Sequence, residues 1–122
     1  MANKGVFFAH IEFEHPVSFV FLDKNTLDIT NSQAVKEVLA SQSFAVCINA
    51  AAYTDVDGAE TNKEFAYAIN TTAVETLAKV CKQHGCWLVH ISTDYVYHNS
   101  QNTPFVETDT TNPQGVYAQT KL

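Results

Sequence analysis

Two short apolar runs, Ala45-Val46-Cys47-Ile48 and Cys86-Trp87-Leu88-Val89-His90-Ile91-Ser92, flank a long stretch of helical period. That juxtaposition narrows the fold more than any other feature. Between the runs, Phe65, Ala68, Ile69, Ala73, Leu77 and Val80 recur at three- and four-residue spacing, which gives one apolar helix face. Thr61-Asn62-Lys63-Glu64 has the form of a capping box before that face, and Gly85 of His84-Gly85 stands where a left-handed terminating residue is wanted. Upstream, Val17–Leu22 reads as a buried strand ending at Asp23. Thr30-Asn31-Ser32-Gln33 resembles a second capping box, with Thr30 as N-cap of a helix through about Ala40 that turns Val35, Val38 and Leu39 inward. Strand, helix, strand, helix, strand with short connections predicts an α/β fold with a doubly wound sheet in three α/β/α layers.

The 122 residues are the size of one domain, and 46% hydrophobic content is ordinary for a globular chain. A net charge of −6 argues against nucleic acid or an anionic membrane surface as partner. The longest apolar stretches, Val17–Leu22 and Phe44–Ala52, fall far short of a membrane span. Gly5-Val6-Phe7-Phe8-Ala9 is too short for the apolar region of a signal peptide, so the cytoplasm is expected. Cys47, Cys81 and Cys86 show no CxxC spacing and read as small buried hydrophobes in a reducing compartment. The five histidines show no HxxxH or HxH pairing, so no metal site is expected.

Chemistry enters where the last apolar run gives way to Ser92-Thr93-Asp94-Tyr95-Val96-Tyr97, because the carboxyl ends of strands line the ligand crevice of open α/β sheets. Asn99–Asn112 is polar and reads as loop, and Pro113 suits the beginning of a further helix. Tyr117 and Lys121 then lie four apart, on one face of such a helix. A phenol with an ordinary pKa of about 10 is a poor acid at neutral pH, and a nearby ammonium favours its phenolate. A hydroxyl from Thr93 or Ser92 could bind the same reacting oxygen. Taken alone the Tyr/Lys spacing is weak, and a solvated helix face explains it more often. Ala50-Ala51-Ala52, after the first of the two flanking runs, leaves room for close approach to the backbone or simply packs tightly. No glycine stands near another, so the G-x-G-x-x-G turn of dinucleotide folds is not found.

In order along the chain stand Asn49-Ala-Ala-Ala-Tyr-Thr54, Val56-Asp57, Ala59-Glu60, Asn70, His90-Ile-Ser-Thr-Asp-Tyr-Val-Tyr97, Pro104-Phe105, Glu107-Thr-Asp109, Asn112-Pro113 and Val116-Tyr117…Thr120-Lys121. Together with Leu27-Asp28-Ile29-Thr30 they closely resemble the dTDP-4-dehydrorhamnose reductase family of extended short-chain dehydrogenases/reductases, over roughly residues 17 to 122. The resemblance implies an NAD(P)-binding Rossmann-like sheet and NADPH- or NADH-dependent reduction of dTDP-4-dehydrorhamnose to dTDP-rhamnose, for polysaccharide precursors. Tyr117 would protonate the C4 oxygen as hydride arrives from the nicotinamide. Lys121 would lower the Tyr117 pKa and hold the nicotinamide ribose. Thr93 would bind the substrate carbonyl with Asp94 beside it. On the cofactor side, Asp28 and Ile29 would flank the adenine, Ala52, Tyr53 and Thr54 would line the cofactor's path, and Asp23 would bind the adenosine ribose. Asp28 serves equally well as helix-terminus chemistry, Asn70 as a helix–strand junction, and Trp87, Tyr95 and Tyr97 as packing residues.

The departures from the family are equally legible. Met1–Pro16 carries neither the first strand nor the Gly-rich loop, so cofactor binding is expected to be weakened or lost. The chain thus reads as a single partial nucleotide-binding domain, inactive alone, with residues 1–16 atypical, residues 17–122 family-like and the C-terminal substrate domain absent. With only Leu122 after Lys121, the last helix is expected to fray. Either Val6–Phe13 fills the vacant strand position, antiparallel to Val17–Leu22, or Ala9–His15 is the tail of a helix. A dTDP-sugar partner and a homo-oligomer fit the resemblance. The alternatives are a non-catalytic NADP-binding regulatory module like the methionine adenosyltransferase β subunit, or a sugar-nucleotide epimerase or dehydratase. Asn49–Thr54 matches the reductases better than the former, and Thr93-Asp94-Tyr95 lacks the Asp-Glu pair usual in dehydratases.

Overall fold

Parallel strands need a long crossover between them, and β1 (Val46–Asn49) and β2 (Trp87–His90), joined through helices, pair in parallel. The computed structural model describes residues 16–99 and 103–122. Val46 lies opposite Trp87 and Asn49 opposite His90. The ladder runs on at both ends, from Trp87 N–H to the Ala45 carbonyl and from Ile91 N–H to the Asn49 carbonyl.

Helix α1 (Ser32–Ser41) precedes the sheet, and its N-cap is Asn31 rather than Thr30. The Asn31 side chain accepts from Ala34 N–H. Thr30 is spent elsewhere, donating through both N–H and Oγ1 to Asp28 Oδ1 at 2.9 and 2.7 Å. A side-chain cap serves one helix start, and the residue one position on was free to provide it.

The crossover is not the single helix from Thr61 that the sequence suggested. Helix α2 (Val56–Thr61) starts earlier, on an Asp55 cap that accepts from Gly58 N–H at 2.9 Å. Asn62 breaks the run, and α3 (Lys63–Tyr67) passes through a π-helical turn, Ala68–Thr72, into α4 (Ala73–Gln83). Thr61 ends α2 and donates to the Gly58 carbonyl, so it caps nothing after it. Helix α4 closes as expected: Gly85 takes φ 66°, and Cys86 N–H bonds back to the Cys81 carbonyl at 2.9 Å.

Val35 and Leu39 of α1 pack on Leu77, Val80 and Cys81 of α4 and on Cys86, with Leu27, Ile29, Phe44, Cys47 and Leu88 against them. Fully burying Val35 or Val80 contributes about 1.5–3 kcal/mol relative to leaving it exposed. The three cysteines are free, in or against this core, and burial pushes each thiol up in pKa. The opposite sheet face, with Val46, Ile48, Trp87 and Val89, is exposed among the described residues.

Two expectations fail here. Val17–Leu22 forms no strand, and its side chains are exposed, Phe21 at 88%. An extended segment becomes a strand only beside a ladder partner, and among the described residues β1 and β2 pair with each other alone. The chain end, by contrast, does not fray: α5 (Val116–Lys121) is helical, opening at Gly115 rather than Pro113. Packing repays its nucleation, because Val116 joins Ala59 and Ala66 in a second small core with Tyr53 and Tyr117 against it. The strand or helix suggested between Val6 and His15 lies outside the described residues.

Candidate active site

The carboxyl ends of β1 and β2 open on the same side of the sheet, as parallel strands must. Beyond β1, Asn49 turns its side chain back, and Oδ1 accepts from Ala51 N–H at 3.1 Å. Tyr53 follows in extended backbone held by one side chain. Asn70 Oδ1 accepts from Tyr53 N–H at 2.8 Å, and Asn70 Nδ2 donates to the Tyr53 carbonyl at 3.0 Å and to Thr120 Oγ1 at 2.9 Å. Asn70 is buried in the π-helical turn, a local geometry that often marks functional positions.

Beyond β2, Thr93 caps a 3-10 turn, Asp94–Val96, through its hydroxyl, which accepts from Tyr95 N–H at 3.3 Å and donates to Asp94 Oδ1 at 3.4 Å. Tyr97 stacks on Phe105 with centroids 4.9 Å apart. Two clefts adjoin this stack. One of about 440 Å³ is lined by Val56, Asp94, Tyr95, Gln114 and Ala118 among others. The other, about 420 Å³, takes in Ser92, Thr93, Asp94 and Glu107.

Helix α5 lies across these ends. Glu60 of α2 fixes its start, accepting from Val116 N–H at 2.7 Å. Tyr117 meets Tyr95 edge-on, with centroids 5.8 Å apart. Thr120 is tied to Asn70, Thr71 Oγ1 donates to the Thr120 carbonyl, and Ser92 Oγ donates to the Lys121 carbonyl at 3.4 Å. Lys121 is only 7% exposed. Its Nζ bonds the Ile91 carbonyl and lies 3.5 Å from His90 Nε2, while His90 Nδ1 lies 3.1 Å from Asn49 Nδ2. Burial lowers the Lys121 pKa. His90 is also lowered, first by burial and then by the Lys121 charge, against a hydrogen bond that the ring donates to the Asn49 backbone.

The structure therefore gathers Thr93, Asp94, Tyr117 and Lys121 at the strand ends. Tyr53 and the neighbouring Ala52 and Thr54 follow β1 on the same side. Asp23, Asp28 and Ile29 sit farther up the chain. The Asp23 carboxylate is taken up by its own turn, accepting from Asn25 N–H, Thr26 N–H and Thr26 Oγ1, and the Thr26 bonds hold it below the usual carboxylate range. Thr30 does the same for Asp28. Ile29 packs on the main core. Lys24 links this loop to the site, its ammonium 5.7 Å from the centroid of Phe65, which meets Tyr53 edge-on. Among the described residues, no three His, Cys, Asp or Glu side chains converge as metal ligands.

Asn70, Glu60 and His90 organise this region although the sequence reading gave them no site role. The signal for Asn70 was a polar residue set between Ile69 and Ala73 in an otherwise apolar stripe. Glu60 and His90 stand in the blocks that carry the family resemblance, but nothing local shows their roles, since these partners lie 56 and 31 residues away.

A family model described as the RmlD substrate binding domain matches residues 8–122. The dTDP-4-dehydrorhamnose reductase of Escherichia coli (strain K12) is 45% identical over 95 residues, 78% of this chain and 32% of that protein. The solved structure of the dTDP-4-dehydrorhamnose reductase from Clostridium acetobutylicum ATCC 824 superposes with a TM-score of 0.79 at 40% identity, covering 82% of this chain and 36% of that one. The Bacillus anthracis dTDP-4-dehydrorhamnose reductase, solved in complex with NADP, gives 0.79 at 36% identity over the same shares. The chain spans about a third of the length of the curated relatives it matches. With an α/β, Rossmann-like frame and nearly its whole length matched, it belongs to the RmlD substrate binding domain family.

Proposed function

We propose that this chain serves the NAD(P)H-dependent reduction of a 4-keto-deoxysugar nucleotide, dTDP-4-dehydrorhamnose to dTDP-rhamnose, as part of one nucleotide-binding domain. The main support is the seating of α5 against the end of β2, which sets Tyr117 and Lys121 beside the Thr93–Asp94 turn. Tyr117 gives its phenolic proton to the C4 oxygen, and Thr93 steadies that oxygen with Asp94 alongside. Lys121, as ammonium, favours the phenolate that remains and holds ribose hydroxyls. Ala52, Tyr53 and Thr54 follow the body of the cofactor, and Asp23, Asp28 and Ile29 take its adenosine end.

The residues present fit such a cofactor on its nicotinamide side. Ala50 and Ala51 are exposed at the β1 end, so a ligand can reach the backbone there, and the buried Lys121 Nζ bonds the Ile91 carbonyl just past β2. When bound, the reduced nicotinamide supplies the hydride. Without a Gly-rich turn the pyrophosphate lacks its usual cradle, so affinity is weakened. The acidic balance, net −6, favours a small-molecule partner over nucleic acid or membrane, in the cytoplasm, and the open sheet face supports a homo-oligomer.

The test is a titration of the 122-residue chain with NADPH, NADH and a dTDP-sugar, followed by amide and lysine NMR shifts. Dissociation constants near about 1 mM, a binding free energy of about −4 kcal/mol, are expected, with shifts at Tyr53, Thr54, Thr93 and Lys121. No shift at these residues at saturating millimolar cofactor would sink the reading.

A further inference from the structure

Helix α5 draws on another helix for the cap that its own chain lacks. Gly115 stands at the N-cap with no side chain to offer, and its carbonyl accepts the first helical bond, from Gln119 N–H at 3.0 Å. Val116 is buried, so its N–H needs a protein acceptor. Glu60 Oε1 of α2 takes it at 2.7 Å, in a charge-assisted bond. A Cβ on Gly115 would stand 3.2 Å from that same oxygen, tighter than ordinary contact. The glycine therefore leaves room for the carboxylate that does the work of the missing cap.

What this bond adds is direction. Val116 packs with Ala59 and Ala66, yet apolar contact is non-directional and leaves a short helix free to turn about its axis. A hydrogen bond at the front of α5, with a second anchor from Asn70 to Thr120 at the rear, fixes that rotation. Tyr117 follows the front anchor directly. Its ring meets Tyr95 edge-on, and Tyr95 N–H is held by Thr93 Oγ1. Lys121 follows the rear anchor. The two ends of α5 thus have separate supports.

We propose that Glu60 is a positioning residue for Tyr117. From α2 it sets the front of α5, and with it the place of the Tyr117 ring against the Thr93–Tyr95 turn, while Asn70 sets the Lys121 end. The same bond joins the two helices that line the cleft of about 440 Å³, through Val56 of α2 and Gly115 and Ala118 of α5, so it also holds the width of that opening. That Tyr117 donates a proton there rests on the proposed function. Its anchoring by Glu60 does not, and stands even if no cofactor binds.

The experiment is NMR on the 122-residue chain without ligand, uniformly labelled with ¹³C and ¹⁵N. In the wild type, acid titration should move the Val116 amide in step with the Glu60 carboxyl carbon. Glu60→Ala should abolish the ring-current shifts that Tyr117 and Tyr95 share and leave the Thr120 and Lys121 amides in place. Glu60→Gln, whose side-chain carbonyl still accepts, should keep the wild-type ring shifts while the Val116 amide no longer follows the acid titration. Gly115→Ala crowds the carboxylate and should move the Tyr117 ring in the same direction as Glu60→Ala. A wild-type Val116 amide that ignores the Glu60 titration would overturn the proposal without any variant, even if Glu60→Ala failed to fold. Unchanged Tyr117 ring shifts in folded Glu60→Ala, or a Glu60→Gln chain that behaves like Glu60→Ala, would overturn it as well. Added NADPH that shifts neither Thr93 nor Lys121 would sink the proposed reduction and leave the role of Glu60 intact.

Discussion

Asn70 is 3% exposed and uses both ends of its amide, one on the Tyr53 backbone and the other on Tyr53 and Thr120 together. Replacing it by Ala leaves a backbone N–H and a carbonyl without their partner in a dry place. Asn70→Ala should therefore cost about 1–3 kcal/mol, read as a lower urea midpoint at an unchanged slope. An unmoved midpoint would mean that water replaces the amide freely. His90 adds a pH dependence. Its lowered pKa means that the folded protein binds fewer protons at this ring than the unfolded chain below about 6.5. The ring's contribution is complete above about pH 6.5 and falls away as the pH drops toward the lowered folded value. Stability measured at about pH 7.5 and about pH 5 should fall more in the wild type than in His90→Gln, and equal losses would contradict this. The Tyr117/Lys121 spacing and the place of Thr93 after a strand were legible because they are local patterns. Asn70 was not, because what it does depends on partners 17 and 50 residues away.

At the level of elements, α5 shows why a six-residue helix can persist. Gly115 offers no side-chain cap, and Glu60 from α2 supplies one across the fold. Glu60→Ala should loosen α5 by about 1 kcal/mol, with about fivefold faster amide exchange at Gln119 and little change in α4. Uniform acceleration across the chain would point instead to global destabilisation. The end of α4 has a different weak point. A Cβ on Gly85 meets nothing within 4 Å, so Gly85→Ala carries only the left-handed backbone cost, about 1–2 kcal/mol. The terminator at Gly85 was readable from sequence because one residue with a special conformation writes it. The starts of α1 and α5 were not, since Thr30 competes with Asn31 locally and the cap of α5 comes from another helix. Val17–Leu22 has strand composition, yet composition cannot supply the neighbouring strand that a ladder requires.

For the whole molecule, the outstanding feature is a sheet with helices on one face only among the described residues. By register and alternation, Val46, Ile48, Trp87 and Val89 share the uncovered face, and Trp87 is 78% exposed. Nearby in chemistry, Phe19 and Phe21 stack in the open with centroids 5.9 Å apart. Paired strands whose outer edges carry no further strand among the described residues, next to an apolar face, favour association with other molecules. The chain should self-associate through this face as its concentration rises, increasing its mass in sedimentation velocity. Trp87 is the single tryptophan of the sequence, so its emission reports on that face alone and should shift to the blue in step with the mass. Trp87→Lys should abolish the concentration dependence. Because the indole contributes to neither buried core, the substitution should change stability by no more than about 0.5 kcal/mol. A variant that folds with unchanged stability and still associates would move the interface to the exposed Val17–Leu22 segment. A wild type that stays monomeric, with a fully hydrated tryptophan at every concentration, would show that an open apolar face of this size is tolerated in solution.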